Sequence, residues 1–529
     1  MFDVVLSNGL VIDGTGQKPF EASIGIRDNK IAAISKNILI GKLQLDIGGK
    51  AVSPGFIDIH SHSDCSFFNE GTLDSKLYQG VTTEFVGNCG ISMVPNNERY
   101  LSLLKRYVEP LLVGSNSIGW NFSSIREYAD ELRKKSFPIN CAPLLGHGAL
   151  RICVMGFNNR PAKKDEIKKM QILLEKELLN GAWGMSMGLV YPPGSFSRTD
   201  ELMGLAKVIA DYKAILSVHI RNEGNDVFNA LSEVIEVGKK ARAHIHISHL
   251  KLIGNRNWGK AKELLLYIKR ARDEGVKITC DQYPYSASAT YLSTLIPSWA
   301  QEGGVEEMLV TIRGSKRKEV ISYIEKEILN RGGSKKIAFS YSTGDFPQEW
   351  EGKNIEQISN LENLDPPQVI LKILDTTKGR AMAIYYSMCD EDVEEILKDT
   401  SIAVCSDGYA LGFDDNKCII GKPHPRNFGT FPRFLKLARK KNIMPIEQAI
   451  YKITSLPAKI MKLNDRGLIK MDNIADLVVF DLVNIADTST YEEPYAKPVG
   501  IEHLLIEGKP VILKGRKTHV NPGQVLLRC

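Results

Sequence analysis

The chain has 529 residues, of which 43% are hydrophobic and 25% are charged. The composition is typical of a globular protein, and the length predicts one large domain with a smaller one, or two to three domains. The formal net charge is only +6, and basic residues occur in short runs such as Arg439-Lys440-Lys441. These features argue against a nucleic-acid-binding protein.

Secretion and membrane signals are also missing from the sequence pattern. The segment "MFDVVLSNGL" has no basic region followed by an apolar run, and no uninterrupted apolar stretch reaches about 18 residues. The nine cysteines are scattered and form no CxxC pair. We therefore predict a cytoplasmic protein with reduced cysteines and no membrane contact.

Both ends of the chain have the pattern of short β-strands joined by turns. In residues 1–53, Asn8-Gly9 predicts a hairpin turn between two apolar runs, and Asp28-Asn29 predicts a second turn. Residues 464–529 contain the apolar runs "ADLVVFDL" and "IEHLLIEGKPVILKG". We expect these two segments to form a small β domain.

Residues 54–463 alternate short apolar segments with amphipathic helical segments such as 162–181 and 261–275. The apolar segments predict strands at 55–62, 81–90, 140–148, 182–189, 214–220, 243–250, 277–285 and 401–408. Alternation of strands and helices favours a parallel sheet, and eight such units predict an α/β fold with a closed (β/α)8 TIM barrel. The long stretch around 286–385 predicts an inserted subdomain.

Polar side chains able to bind a metal follow five of these predicted strands. His60 and His62 end the first strand and lie on the same side of an extended chain. The other strand ends supply Cys89 (second strand), His219 (fifth), His249 (sixth) and Asp407 (eighth). Because the carboxyl ends of barrel strands meet at one rim, we predict that these six residues form a metal site.

The types of ligand indicate which metal and which chemistry. Thiolate and imidazole together favour zinc, and a catalytic zinc keeps one position for water. Asp407 would accept a proton from that water and return it to a leaving group. Taken singly, each residue has an ordinary structural explanation: His219 as a packed polar residue, Cys89 as core, Asp407 as a turn former.

The arrangement of HxH, two further histidines and an aspartate resembles the amidohydrolase superfamily, as do the segments "PGFIDIHSHSD" and "IADLVVFD". Many members bridge two metals with a carboxylated lysine from the fourth strand, but "AWGMSMGL" has no lysine. Cys89 in "GNCG" narrows the resemblance to the D-aminoacylase (N-acyl-D-amino-acid deacylase) branch. The segments "SHLK", "DQYPY", "SDG", "HPRNFGTFPR" and "NPGQVLLR" agree. The similarity covers essentially the whole chain and is weakest in the insertion.

The resemblance implies a role for each matching residue. It implies a tightly held zinc at Cys89, His219 and His249, and a second metal position at His60, His62 and Asp407. It makes Asp407 the general acid/base as well. It places the α-carboxylate of the substrate on Lys251, Tyr283 and Arg426, and it makes Tyr191 a residue of the pocket. It also implies that the two chain ends form a small β-sandwich.

The activity implied by the resemblance is zinc-dependent hydrolysis of N-acyl-D-amino acids, with a small-molecule substrate. The preference for the D enantiomer comes from the resemblance alone. Other amidohydrolase activities stay open, such as hydantoinase-like ring opening or cleavage of dipeptides with a C-terminal D-residue. A nucleobase deaminase and a non-catalytic scaffold are further alternatives. The sequence leaves open whether one metal or two are bound.

Overall fold

The computed structural model of the protein describes residues 1–413 and 420–528. The first strands are β1 (Phe2–Val11), β2 (Phe20–Arg27), β3 (Lys30–Ser35), β4 (Gly41–Asp46) and β5 (Ala51–Pro54). They are followed by β6 (Phe56–Asp58), β7 (Val81–Val86), β8 (Asn140–Pro143), β9 (Leu145–Gly146), β10 (Gly184–Gly188), β11 (Ile215–His219), β12 (His244–Ile247) and β13 (Ile278–Gln282). The remaining strands are β14 (Ser288–Tyr291), β15 (Ile337–Ser342), β16 (Ala381–Tyr385), β17 (Ile402–Val404), β18 (Leu477–Phe480), β19 (Ile501–Ile506), β20 (Lys509–Leu513) and β21 (Arg516–Lys517).

Helices lie between most of the parallel strands. The first half of the chain has α1 (Asp74–Leu77), α2 (Leu101–Val108), α3 (Ile125–Arg133), α4 (His147–Met155), α5 (Lys164–Leu179), α6 (Thr199–Asp211), α7 (Val227–Ala241) and α8 (Ala261–Asp273). The second half has α9 (Val305–Arg313), α10 (Arg317–Asn330), α11 (Ile355–Glu362), α12 (Pro366–Thr376), α13 (Asp390–Lys398), α14 (Arg426–Lys440), α15 (Ile446–Ile453) and α16 (Ser455–Met461). In the described ranges, no helix has the length and apolarity needed to cross a bilayer.

Strands from both chain ends form one nine-stranded sheet. Its order is β21-β20-β19-β18-β5-β1-β2-β3, and β4 also pairs with β1. The predicted hairpin turn at Asn8-Gly9 is wrong, because β1 runs through these residues with a register shift between Leu6 and Gly9. This register shift is a β-bulge, and it contains Asn8, whose backbone is left-handed with φ 61°. The predicted turn at Asp28-Asn29 is confirmed, since it joins β2 to β3.

The eight predicted strands of the central region are confirmed and form a parallel barrel. One sheet has the order β6-β7-β8, and the other has the order β17-β13-β12-β11-β10-β9. These strands are almost entirely buried, as expected where helices cover a parallel sheet. The two sheets adjoin at Leu144, which separates β8 from β9. The amide of Leu144 still donates to Val86 O, at 2.9 Å.

The last barrel strand meets the first through backbone hydrogen bonds. Asp407 N donates to His60 O at 2.9 Å, and His62 N donates to Gly408 O at 2.8 Å. This pairing places the ends of the first and eighth strands side by side. The predicted metal-binding residues on the two strands are therefore neighbours.

The segment between β13 and β17 folds around its own apolar core. It contains the three-stranded sheet β14-β16-β15 and the helices α9 to α12. Its buried side chains, among them Ile324, Phe339 and Trp350, form a cluster separate from those of the barrel and of the nine-stranded sheet. The part of the chain for which the sequence predicts an inserted subdomain therefore has an apolar core of its own.

A buried lysine binds the first, second and eighth strands together beneath the predicted site. Lys76 is fully buried, and its Nζ lies 2.8 Å from Asp58 Oδ2 and 2.7 Å from Glu84 Oε1. It also donates to Ser406 Oγ at 2.8 Å. Asp58 in turn accepts the Ser406 amide at 2.9 Å. One cation thus compensates two buried carboxylates on β6 and β7.

A third buried carboxylate in this region has no cation of its own. Asp64 is buried, and its Oδ2 has no hydrogen-bond partner among the described residues. Burial raises the pKa of this carboxyl from 3.8 to about 7, although the nearby His62 lowers it. The charged form of Asp64 is therefore costly in the folded protein.

Replacement of Lys76 by methionine should strongly destabilise the protein. The variant leaves Asp58 and Glu84 buried without their cation, and breaking such a pair costs about 3–5 kcal/mol. Urea unfolding of Lys76→Met measures this loss. Lys42→Met is the matched control, since Lys42 pairs with Asp3 at the exposed surface. Equal unfolding midpoints for Lys76→Met and the parent would contradict the claim that Lys76 compensates the buried charges of Asp58 and Glu84.

Replacement of Asp64 by asparagine should give a stability gain that depends on pH. Because the folded pKa of Asp64 is raised, its contribution to stability is present below about pH 4 and is lost as pH rises to about 7. In metal-free protein, the gain of Asp64→Asn over the parent should therefore grow across this interval. The growth should be roughly 1.4 kcal/mol per unit of raised pKa. A pH-independent difference in unfolding free energy would refute this.

Candidate metal centre

The predicted metal-binding residues lie where the barrel strands end in strained backbone. Three of them have a left-handed conformation, with φ 52° at Cys89, 35° at His249 and 48° at Asp407. Such conformations cost about 1–3 kcal/mol each for residues other than glycine and are concentrated at functional sites. The surrounding fold therefore holds these three side chains in fixed directions at some cost in stability.

The "GNCG" loop shows how the sequence directs Cys89 into the barrel. Gly87 and Gly90 have φ 79° and 74°, so three of the four loop residues are left-handed. A Cβ at Gly87 would lie 2.3 Å from Leu144 O, and one at Gly90 would lie 2.7 Å from Gly188 N. Only glycine fits these two positions, and the tight turn buries the Cys89 side chain.

Four of the predicted ligands face one another in a single cluster. His60 Nε2 lies 3.2 Å from Cys89 Sγ, and Cys89 Sγ lies 3.3 Å from His249 Nε2. His60 Nε2 is also 3.3 Å from Asp407 Oδ1. One donor atom from each of these residues lies within 4.8 Å of those of the other three. Spacing of this kind allows one ion to contact several of them.

The two other predicted ligands border this cluster. His62 Nε2 lies 3.2 Å from Asp407 Oδ1. The ring of His219 is 4.3 Å from the ring of His249, centroid to centroid. All six residues predicted from strand ends are therefore brought together at one rim of the barrel.

The electrostatics of the cluster favour an ionised thiol and an ionised carboxylate. Burial raises the pKa of the Cys89 thiol, but the His60 and His249 rings outweigh it and hold the pKa well below its ordinary value. Burial likewise opposes ionisation of Asp407, yet Arg426 holds the pKa of this carboxyl well below its usual range. Both side chains thus carry negative charge at neutral pH.

The imidazoles respond to this negative charge. Burial and the neighbouring Lys251 disfavour protonation of His249, but Asp407, Cys89 and Glu223 outweigh them and raise the pKa of His249 to about 9. The pKa of His60 is raised as well, against burial, by Cys89 and Asp281. Protons occupy these rings when no other cation balances the cluster.

Two acidic residues of the site were not given a role by sequence reasoning. Asp281 Oδ2 lies 2.8 Å from His246 Nε2 and 3.3 Å from His60 Nδ1, and Asp281 Oδ1 accepts the His249 amide. Glu223 Oε1 lies 3.0 Å from His249 Nδ1. The available signals were the position of Asp281 in the seventh strand, within "DQYPY", and of Glu223 four residues after His219.

The charges around the cluster leave room for a divalent cation. The anionic groups are Cys89, Asp281, Asp407 and Glu223, and the cationic ones are Lys251 and Arg426. With neutral imidazoles, and with the Cys89 thiol ionised by a bound metal, these groups carry two net negative charges, which one divalent ion would balance. Buried charges must be paired or bound to a metal, so the donor set fits a metal centre.

The three residues predicted to bind a carboxylate also lie together. The Lys251 Nζ and the Arg426 Cζ lie 5.5 Å and 5.0 Å from the centre of the buried Tyr283 ring. Both cations have partners in this structure. Arg426 Nη1 lies 2.7 Å from Asp407 Oδ2, and Lys251 Nζ lies 2.6 Å from Glu223 Oε1. A bound carboxylate would therefore compete with two protein carboxylates.

A cavity of about 370 Å³ opens beside the cluster. Its barrel side includes His219, Glu223 and Tyr191, and its other side includes Arg331 and Tyr385 from the insertion. The Tyr191 hydroxyl is hydrogen-bonded to Thr290 Oγ1 at 2.8 Å. The volume suits a small molecule, and the insertion supplies part of its walls.

Three other histidines near the site are buried and hydrogen-bonded. His244 Nε2 and His246 Nδ1 both lie 2.9 Å from Thr279 Oγ1. His424 Nδ1 accepts a hydrogen bond from the Arg426 amide at 3.0 Å, which orients the start of α14. The backbone amides of both Asp407 and Arg426 are thus held by hydrogen bonds, which fixes the two residues that form this ion pair.

Comparison with protein families identifies the architecture. The amidohydrolase family model matches residues 45–319 and 375–512. The stretch between the two matched ranges, residues 320–374, lies in the insertion between β13 and β17. L-Hydantoinase from Arthrobacter aurescens, at 17% identity and a TM-score of 0.57, shares the fold. The (β/α)8 barrel with an added sheet domain, predicted from the sequence, is thereby confirmed.

Relatives with higher identity extend over the whole chain. D-aminoacylase of Alcaligenes xylosoxydans xylosoxydans is 31% identical, covering 100% of this chain and 98% of the relative. N-acyl-D-glutamate deacylase of the same organism is 33% identical, covering 99% and 96%. The crystal structure of N-acyl-D-glutamate deacylase from Bordetella bronchiseptica, complexed with zinc and a phosphonate inhibitor, has a TM-score of 0.82 at 31% identity and 99% coverage of both chains. This chain therefore belongs to the D-aminoacylase (N-acyl-D-amino-acid deacylase) family of the amidohydrolase superfamily.

Proposed function

We propose that the protein is a zinc-dependent hydrolase that converts N-acyl-D-amino acids into a D-amino acid and a carboxylate. The observation that carries the proposal is one buried rim with two features side by side. A thiol, imidazoles and a carboxylate can bind a metal, and Arg426 adjoins them as a cation for the substrate. The full-length relatives named above act on N-acyl-D-amino acids or N-acyl-D-glutamate, which supports this substrate class.

The residues that would hold zinc are those with the softest donors. Cys89, His219 and His249 would hold one ion, because thiolate and imidazole are preferred zinc ligands. His60, His62 and Asp407 offer a second position. Zinc, when bound, supplies a Lewis acid for the amide carbonyl and lowers the pKa of water.

Asp407 is proposed as the general acid and base. It is ionised in this structure, so it can accept the proton of the hydrolytic water and later donate it to the leaving nitrogen. Arg426, at 2.7 Å, keeps its basicity low. A substrate carboxylate that draws Arg426 away would raise the pKa of Asp407 and make it a better base when substrate is bound.

Arg426, Lys251 and Tyr283 are proposed to bind the α-carboxylate of the substrate. Arginine offers a planar fork of donors and lysine a point charge, and Tyr283 packs against both cations. The chiral centre would then be held between this carboxylate and the scissile amide. A nucleobase deaminase has no need for such a group of cations beside the general base. Ring-opening amidohydrolases usually keep a bridging lysine, which the fourth strand, "AWGMSMGL", does not have.

A hydrolysis assay on matched N-acetyl-D- and N-acetyl-L-amino acids tests the proposed function. The substrates should include Met, Leu, Glu and Asp, and the released amine is quantified with zinc present. We expect turnover of D substrates and a D over L ratio in kcat/KM of at least about 100, since a misplaced amide loses orientation worth several kcal/mol. Equal turnover of both series, or of neither, would contradict the proposal.

Two substitutions should separate metal binding from proton transfer. Cys89→Ala should lose both bound zinc and activity, as judged by metal analysis and amine release. Asp407→Asn should keep the zinc held by Cys89, His219 and His249 while kcat falls about 10²- to 10⁴-fold, the usual contribution of a general acid/base.

Cys153→Ala serves as the matched cysteine control. Cys153 Sγ lies outside the cluster and accepts a hydrogen bond from Asn97 Nδ2 at 3.0 Å. Zinc content and kcat of this variant should equal those of the parent. A Cys89→Ala protein that retains stoichiometric zinc would overturn the ligand assignment.

A further inference from the structure

Glu223 occupies a junction between the proposed metal residues and the proposed carboxylate-binding residues. Its Oε1 lies 2.6 Å from Lys251 Nζ and 3.0 Å from His249 Nδ1. These two nitrogens are only 2.7 Å apart. Its Oε2 is 3.7 Å from His219 Nε2. One carboxylate therefore contacts two candidate zinc ligands and one candidate substrate ligand.

The loop that carries Glu223 is held in place. Ile253 N donates to Glu223 O at 2.9 Å, which ties the loop after β11 to the loop after β12. The Glu223 side chain is 13% exposed, and this exposed part lines the cavity beside the cluster. Glu223 thus lies at the boundary between the cavity and the buried cluster.

The donors and acceptors at this junction allow only one arrangement when His249 binds a metal. The Nε2 of His249 faces Cys89 Sγ at 3.3 Å, so a metal ion there needs the Nε2 lone pair. The ring proton must then be on Nδ1. A lysine ammonium has three donors and no acceptor, so it cannot receive this proton. Glu223 Oε1 is the acceptor within reach of both nitrogens.

We propose that Glu223 is a positioning residue that couples the two halves of the site. It accepts Nδ1–H of His249, which fixes the tautomer with Nε2 free, and it neutralises Lys251 so that two donors can lie close together. Carboxylates that accept the outer N–H of a metal-binding histidine are a general feature of metal sites. The inference rests on the proposed zinc site at Cys89, His219 and His249.

Without Glu223, the Lys251 ammonium would face the Nδ1–H of His249 with no anion between them. Metal binding would then be disfavoured by the lysine charge as well as by the lost hydrogen bond. Removal of Lys251 as well should relieve part of this penalty. If Glu223 had only a packing role, the second truncation would weaken zinc binding further.

The experiment measures zinc affinity by competition with a chromogenic chelator for the parent, Glu223→Ala, Lys251→Met and the double variant. We expect Glu223→Ala to bind zinc about 10- to 100-fold more weakly than the parent. Lys251→Met should keep zinc affinity within about threefold, because Glu223 still accepts the Nδ1–H of His249, while KM rises through the loss of a proposed substrate contact. The double variant should bind zinc about tenfold more tightly than Glu223→Ala.

Glu236→Ala is the matched control, since Glu236 pairs with Lys240 at the exposed surface of α7. Its zinc affinity and KM should equal those of the parent. Unchanged zinc affinity in Glu223→Ala, or a double variant that is weaker than Glu223→Ala, would overturn the proposal. Circular dichroism and unfolding midpoints check that each variant is folded before its affinity is used.

These outcomes are distinct from a failure of the proposed function. A parent protein that binds no zinc, or that turns over no N-acyl-D-amino acid, refutes the proposed function itself. A parent that does both, together with additive losses in the cycle, refutes only the role of Glu223.

Discussion

The meeting of the first and last barrel strands is the constraint on which the rest of the site depends. Two backbone hydrogen bonds, from Asp407 to His60 and from His62 to Gly408, set the register between these strands. Beneath them, Lys76 binds Asp58 of the first strand and Ser406 before Asp407. Since side chains at strand ends share one rim, this register decides that two imidazoles and a carboxylate become neighbours.

The cluster of side chains at this rim carries an excess of negative charge that has to be compensated. An ionised thiol and several carboxylates are packed into a region from which water is largely excluded, and Lys251 and Arg426 each pair with one of these carboxylates. The raised pKa values of His60 and His249 are the response of the metal-free site. A divalent ion would displace these protons, so metal affinity and proton release are expected to be linked.

The same balance of charge connects binding with chemistry. Arg426 and Lys251 neutralise Asp407 and Glu223 while no substrate carboxylate is bound. An arriving carboxylate competes for these cations, which leaves Asp407 more basic where a proton has to be taken up. The ion pairs that stabilise the free protein are, in this account, exchanged for contacts with the substrate.

Most of the architecture could be predicted from the sequence, because the periodicity of apolar residues and the local composition indicate which residues are buried. The eight barrel strands and the association of six strand-end residues followed from apolar runs that stop at His, Cys or Asp. The hairpin at Asn8-Gly9 failed because a bulge within a long strand has the same local signature as a turn. Glu223 and Asp281 were missed because their partners lie on other strands, and spacing along the chain does not report such contacts. The individual roles of the site residues stay predictions.

The most direct test of the central claim is an anomalous diffraction measurement on crystals of the protein, with data collected on both sides of the zinc absorption edge. We expect a zinc peak enclosed by Cys89 Sγ and the rings of His219 and His249, in protein purified without added metal. A crystal that diffracts well and shows no anomalous zinc peak at this cluster, or shows one elsewhere, would contradict it.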